Sequence, residues 1–264
     1  KDLLEQAKVR HDQLTKPLGS LGVLEDMGSR LAAIYGTVKP KVTGKGVVVF
    51  AADHGVTESG VSAYPKAVTE QMVLNFLRGG AAISVLSKTN NVDMMVVDVG
   101  VDADFPEHPN LLKRKVARGT KNMLEQPAMT HEEVQQALGV GIEVANLMID
   151  KGINLLAAGD MGIGNTTAAT AIISVMTDTS VRELTGRGTS LNSNVKDYLF
   201  ASHTSHNPIH RKRLELLEVE PIFNFSLRLG EGTGAVLAMP VIESVANILS
   251  DMATFAEAGV SEAS

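Results

Sequence analysis

Three times along the chain, a short run of aliphatic and β-branched residues ends in polar residues and glycine. The runs are GVVVFAADHG (Gly46–Gly55), VDMMVVDVGVD (Val92–Asp102) and the start of INLLAAGDMGIGNTTAATAIISVM (Ile153–Met176). Continuous apolar runs of this length suit strands buried on both faces, the habit of parallel sheets. Helical patterns lie between and after them. VTEQMVLNFLRGGAAISVLSK reads as helix broken at Gly79-Gly80, and HEEVQQALGVGIEVANLMIDKG (His131–Gly152) as one helix. Thr130, with Glu133 three residues on, is a capping box for that second helix. Strand, polar loop and helix in repetition define an α/β chain with a mostly parallel sheet. Ligands of such sheets bind beyond the carboxyl ends of the strands, and the polar glycine motifs fall there. Residues 2–35 read as helix, turn, helix, interrupted at TKPLGSLG (Thr15–Gly22).

Composition narrows the partners. With 264 residues, 44% of them hydrophobic, the chain can build one large core or a large domain with a small satellite. Its net charge is −6 and its basic residues are scattered, so nucleic acid is not an expected partner. The absence of cysteine removes disulfides and thiolate chemistry and suits a reducing cytoplasm. No apolar run reaches about 18 residues, so no membrane span is expected. The KDLLEQ start reads as mid-helix, without the basic-then-apolar pattern of a signal peptide.

Four motifs carry candidate chemistry. AGDMGIGNTTAA (Ala158–Ala169) puts Gly159, Gly162 and Gly164 before a helix opened by Asn165 and Thr166. Backbone N–H groups there make an anion site, or simply a tight strand-to-helix turn. The spacing is neither a Walker loop nor the dinucleotide fingerprint, which weakens a nicotinamide-dependent oxidoreductase as an alternative. TGRGT (Thr185–Thr189) is either a second nest or an ordinary exposed turn. AADHG (Ala51–Gly55) places Asp53 and His54 at a strand end, pointing opposite ways. His203, His206 and His210 share a segment without a metal-binding spacing, and no metal or cofactor is expected. Finally LRLGEGTGAVLAMP (Leu227–Pro240) sets Glu231 between glycines at the mouth of an apolar helix. It is either a capping glutamate or an open, ionised general base.

Together the stretches LTKPLGSLGVLE, VVVFAADHGVTESGVSAYPKAVTEQM, GDMGIGNTTAA, TGRGT, DYLFASHTS and RLGEGTGAVLAMP resemble, in order and over nearly the whole chain, the nicotinate-nucleotide–dimethylbenzimidazole phosphoribosyltransferase family of cobalamin lower-ligand assembly. The resemblance implies transfer of phosphoribose from nicotinate mononucleotide to an aromatic base, usually 5,6-dimethylbenzimidazole, with inversion at the anomeric carbon. Glu231 falls on the family's catalytic glutamate, and Asp160 stands near the base. Phosphoribosyl and nicotinate contacts map to Gly162, Gly164, Asn165, Thr166, Gly188, Thr189, Ser205 and Gly230. The base wall maps to Tyr64, Gln71, Met72, Met161 and Leu229.

Two departures qualify the resemblance. Asp160 replaces a glutamate of many members and reaches one methylene less, which leaves open a different acceptor, such as phenol or p-cresol handled by a paralogous heterodimer. A non-catalytic partner subunit is a further alternative. Members also run several dozen residues longer between TGRGT and DYLFASH, with a further strand, helix and phosphate-contacting lysine. A true deletion would take a strand from the sheet, so residues missing from the sequence as read, between roughly Leu191 and Asp197, are the expectation. A Cα–Cα step there far beyond the ~3.8 Å of a peptide link would mark it. The implied fold is a large domain with a Rossmann-like parallel sheet, residues 36–239, and a small helical domain from both termini, residues 1–35 with 240–264. The implied assembly is a homodimer, or a heterodimer with a paralogue. The apolar helix Val241–Phe255 suits burial between subunits or within the small domain.

Overall fold

The computed structural model of the chain describes residues 2–176, 197–205, 210, 214, 215 and 217–261. Gly188, Thr189 and the expected break after Leu191 lie outside them. The chain divides into two units. One comprises Gly44–Asn192 and Phe200–Leu237; the other comprises Lys1–Thr43, Ser193–Leu199 and Ala238–Ser264.

The larger unit is built on a four-stranded sheet in the order β3-β2-β1-β4, every pairing parallel. Its strands are β1 (Lys45–Ala52), β2 (Asp93–Gly100), β3 (Leu111–Lys113) and β4 (Leu155–Met161). β1 is central: Val48 pairs with Met95 on one side and Ala158 on the other. Val47, Val48, Val49 and Ala51 are accordingly all buried, which is why this strand reads as unbroken apolar sequence. The helices α3 (Val68–Leu77) and α4 (Ala82–Thr89) part at Gly79-Gly80. α3 lies against β1, β2 and β4. α5 (His131–Asp150) starts on the Thr130 capping box: Thr130 Oγ1 accepts from the Glu133 N–H at 3.2 Å, and Glu133 Oε2 accepts from the Thr130 N–H at 2.7 Å. Its Val140, Val144 and Met148 pack on Val48, Met95 and Val97. Beyond β4 come α6 (Asn165–Met176), then a two-stranded parallel pair, β5 (His203–Ser205) and β6 (Phe223–Leu227).

The helix α7 (Thr233–Asp251) begins in this unit. By length and composition it could cross a membrane, contrary to the reading of the sequence, but over half of it is buried within the protein. Met239, Ile242, Val245 and Leu249 are all buried, so this apolar helix serves as a core element of the chain itself.

The smaller unit holds α1 (Asp2–Gln13), α2 (Val23–Tyr35), α7 from Ala238 onward and α8 (Phe255–Ala258). Ala7, Ala32 and Leu249 meet in its core. Arg10 finishes α7, donating from Nε to the Leu249 carbonyl at 2.6 Å and from Nη2 to that of Ser250 at 3.1 Å. A guanidinium thus satisfies carbonyls that a helix end leaves bare. The unit extends to Thr43.

Candidate active site

The carboxyl ends of β1 and β4 lie side by side, and the loop after β4 is built around glycine. Gly162 sits where a Cβ would overlap the Ala52 carbonyl oxygen and crowd the His54 imidazole. Gly164 has φ +87°, a backbone that favours glycine. The loop is pinned from α3, where the wholly buried Thr69 accepts the Ile163 N–H at 3.1 Å. α6 then opens at Asn165, whose Nδ2 donates to Asp160 Oδ2 at 2.5 Å. Asp160 is thereby aimed at a helix N-terminus, where negative charge is favoured. His54 lies beneath the loop; burial lowers its pKa, against the pull of Asp160 and Asp53. Asp53 is buried and accepts the Asp102 N–H at 2.8 Å, tying the ends of β1 and β2 together.

Glu231 occupies a turn before α7 with φ +64°, followed by Gly232 at φ +86°. Thr233 closes the turn: its N–H and Oγ1 both donate to the Gly230 carbonyl, at 3.1 and 2.9 Å. The turn rests on β4 at Gly159, where any Cβ would overlap the Glu231 carbonyl group. The flanking glycines predict an open, ionised carboxylate; instead Glu231 is only 6% exposed. Its Oε2 finds no hydrogen-bond partner among the described residues. Burial pushes its carboxyl above the usual range. The cause is long-range packing: Gly159 lets the turn settle onto the strand, and desolvation then disfavours the charged form. A carboxylate so placed is a stronger base than an exposed one.

Glu231 lines a cavity of about 700 Å³, within the range of small-molecule sites. Asp160, Asn165, Thr166, Ser205, Leu229 and Gly230 line it too, so both helix N-termini and the carboxylates face one space. Ser205 Oγ donates to the Leu227 carbonyl at 3.2 Å, linking β5 to β6. Gly162 and Gly164 shape the loop without lining the cavity. Tyr64, Gln71, Met72 and Met161 do not line it either. Tyr64 borders a separate shallow pocket with Ser62, Pro65 and Lys66. Gln71 is exposed because the buried face of α3 is Thr69, Val73 and Phe76. Sequence reasoning missed Arg228, His203 and His210, which complete the wall. The histidines drew attention only as a metal set, and among the described residues no such cluster exists.

The comparisons match this architecture. A phosphoribosyltransferase family model matches residues 1–194 and 189–260. A protein of Chloroflexus aurantiacus named nicotinate-nucleotide–dimethylbenzimidazole phosphoribosyltransferase is 40% identical over 328 residues, covering 97% of this chain and 93% of the relative. Its namesake in Geobacter metallireducens is 42% identical, covering 98% and 94%. The crystal structure of the Thermus thermophilus protein of the same name superposes with a TM-score of 0.92 at 42% identity, covering 99% of each chain. The chain belongs to this phosphoribosyltransferase family.

Proposed function

We propose that the enzyme moves the 5-phosphoribosyl group of nicotinate mononucleotide to an aromatic base of the 5,6-dimethylbenzimidazole type, releasing nicotinate and forming an α-riboside 5′-phosphate. The observation that carries this reading is Glu231, a desolvated carboxylate on the wall of a cavity bordered by two helix N-termini. The relatives' names supply the substrates.

The base attacks C1′ through its unprotonated ring nitrogen, from the face opposite the pyridinium. The glycosidic C–N bond breaks and its electron pair returns to the pyridinium, which departs neutral at that ring. The attacking base is left cationic, and Glu231 takes the proton from its other nitrogen. Leaving-group charge is thus neutralised as the bond breaks, and alignment and proton removal are the tasks left to the protein. Asn165 and Thr166 at the start of α6, with Ser205 and the Gly230 turn, hold the phosphoribosyl group. Asp160 faces the base and Leu229 packs on the rings. Gly162 and Gly164 give the loop the backbone that a phosphate needs to approach. Tyr64, Gln71, Met72 and Met161 fit the base wall less well than Leu229, because they do not reach the cavity.

Nicotinate release measured with nicotinate mononucleotide and dimethylbenzimidazole tests the reading. Glu231→Gln lowers turnover at least about a hundredfold, the loss expected of a general base; near-normal turnover would remove Glu231 from that role.

The same reading takes the protein as a cytoplasmic homodimer. Support comes from α5, which shows an outward face of Val134, Leu138, Ile142 and Ile149, all exposed. Within that helix Gly139 and Gly141 have open space around them.

A further inference from the structure

Two histidines on the cavity wall have no part in the chemistry above. The imidazole of His203, the first residue of β5, occupies the volume that a side chain at Gly234 would need, so that any Cβ there would overlap it. Gly234 is the second residue of α7 and follows the Glu231 turn directly.

The His203 ring is held by its other neighbours. Its Nδ1 lies 3.0 Å from Ser202 Oγ. Its cross-strand partner Phe223 stacks on it, with centroids 6.1 Å apart and planes at 24°. The His210 ring lies 5.0 Å away. His210 Nδ1 accepts the Ser205 N–H at 3.3 Å, and a backbone N–H can only donate, so that nitrogen is unprotonated and the ring is fixed. Phe223 is backed in turn by Phe225 at 4.5 Å. Burial keeps the His203 imidazole below its usual pKa and therefore uncharged.

The turn that His203 abuts needs such support. At φ +64°, Glu231 has a left-handed backbone that is strained for any residue but glycine. Such a conformation persists only where its surroundings over-determine it. Two contacts bracket it: β4 at Gly159 against residues 231 and 232, and the His203 ring against residue 234.

We propose that His203 is a positioning residue for phosphoribosyl transfer, its ring a wedge that fixes the Gly230–Gly234 turn and so holds the Glu231 carboxylate at the cavity wall. The inference rests on Glu231 being the base. His203 acts through the turn rather than on the reacting atoms. A wedge uses the size and flatness of the ring, so phenylalanine replaces it and alanine does not.

The test compares wild type, His203→Ala and His203→Phe in two readouts: steady-state transfer to dimethylbenzimidazole, and amide hydrogen exchange of peptides spanning 228–237. In His203→Ala, kcat falls at least about tenfold while KM for nicotinate mononucleotide moves less than about threefold, as expected when a catalytic group is misplaced by a fraction of an ångström. Amides of the turn exchange at least about tenfold faster, because its local opening becomes easier. His203→Phe returns both readouts to within about threefold of wild type. Unchanged exchange in His203→Ala, a loss confined to KM, or a His203→Phe as impaired as alanine would each overturn the wedge. A wild type that releases no nicotinate would sink the proposed reaction, while the exchange comparison would still decide the wedge. If His203→Ala does not fold, Gly234→Ala drives a methyl group into the ring's place and must give the same faster exchange and lower kcat; normal values in that variant overturn the proposal too.

Discussion

Glu231 works against the fold that carries it. Its backbone is left-handed, its carboxylate is buried, and one oxygen has no partner among the described residues. Leaving a buried polar atom unpaired costs about 1–3 kcal/mol, more when it is charged. Such a residue is kept for what it does rather than for what it adds to stability. The pH dependence separates the charge from the rest. An unfolded glutamate ionises near pH ~4.3. The folded carboxyl holds its proton to higher pH, so above the unfolded value the native state binds more protons than the unfolded state. Stability then falls as pH rises through that window, and the penalty is complete above the folded pKa. Glu231→Gln keeps a polar side chain but has no charge to desolvate, so it is more stable than wild type at pH 8. The gain shrinks as pH falls toward the unfolded value and vanishes well below it, where both states of the wild type are protonated. Urea unfolding at pH 8 and pH 4 checks this; a variant no more stable at pH 8 than at pH 4, relative to wild type, would contradict it.

At the scale of elements, the strands that the sequence reveals are those buried on both faces. β1 and β2 are continuous apolar runs because both their faces are buried. β3, β5 and β6 are short and half exposed, so no period announces them. Residues next to the glycine motifs were legible as a site because strand ends and helix starts place them locally. The burial of Glu231 was not, since it depends on Gly159 meeting the turn from a distant strand. Gln71 stands two residues from the buried Thr69 and so faces away from the core side of α3. α5 shows a third limit. Its inner stripe covers the sheet, and its outer stripe of Val134, Leu138, Ile142 and Ile149 is apolar as well. Leu138 and Ile142 are 65% and 66% exposed. Glycine inside a helix costs about 1 kcal/mol relative to alanine, and among the described residues no contact requires Gly139 or Gly141. In the proposed homodimer, a second α5 packed across a two-fold axis would cover the apolar stripe. Sedimentation velocity then finds a dimer for wild type and monomers for Ile142→Lys, with the circular dichroism unchanged. A monomeric wild type, or a dimer indifferent to the lysine, would rule this face out.

At the scale of the whole molecule, acid is the weak side. Among the described residues, burial lowers the pKa of three histidines: His11 in the smaller unit, and His54 and His203 in the larger. Unfolded histidine takes its proton near pH ~6.5. The folded groups resist, so below that value the unfolded state binds more protons and stability falls with pH. Above it the three are neutral in both states and cost nothing. His11 is the cleanest case. It is almost wholly buried, and neither ring nitrogen has a hydrogen-bond partner among the described residues. Gly28 leaves room for its ring, since a Cβ there would stand 2.7 Å from Nε2, and Val245 packs nearby. Of the charges that face it, Glu25 and Asp12 favour its protonation and Lys16 opposes it; desolvation outweighs them all. Glu25 itself is engaged by Lys16 at 2.7 Å. Methionine fills a similar apolar volume and does not titrate. His11→Met therefore melts within a few degrees of wild type at pH 7.5 and loses less of its melting temperature on going to pH 5.5, since a kcal/mol corresponds to roughly 2–4 °C in a chain of this size. His54 and His203 remain in the variant, so the acid sensitivity is reduced rather than abolished. Equal losses in the two proteins would mean that His11 is not among the groups whose protonation drives acid unfolding.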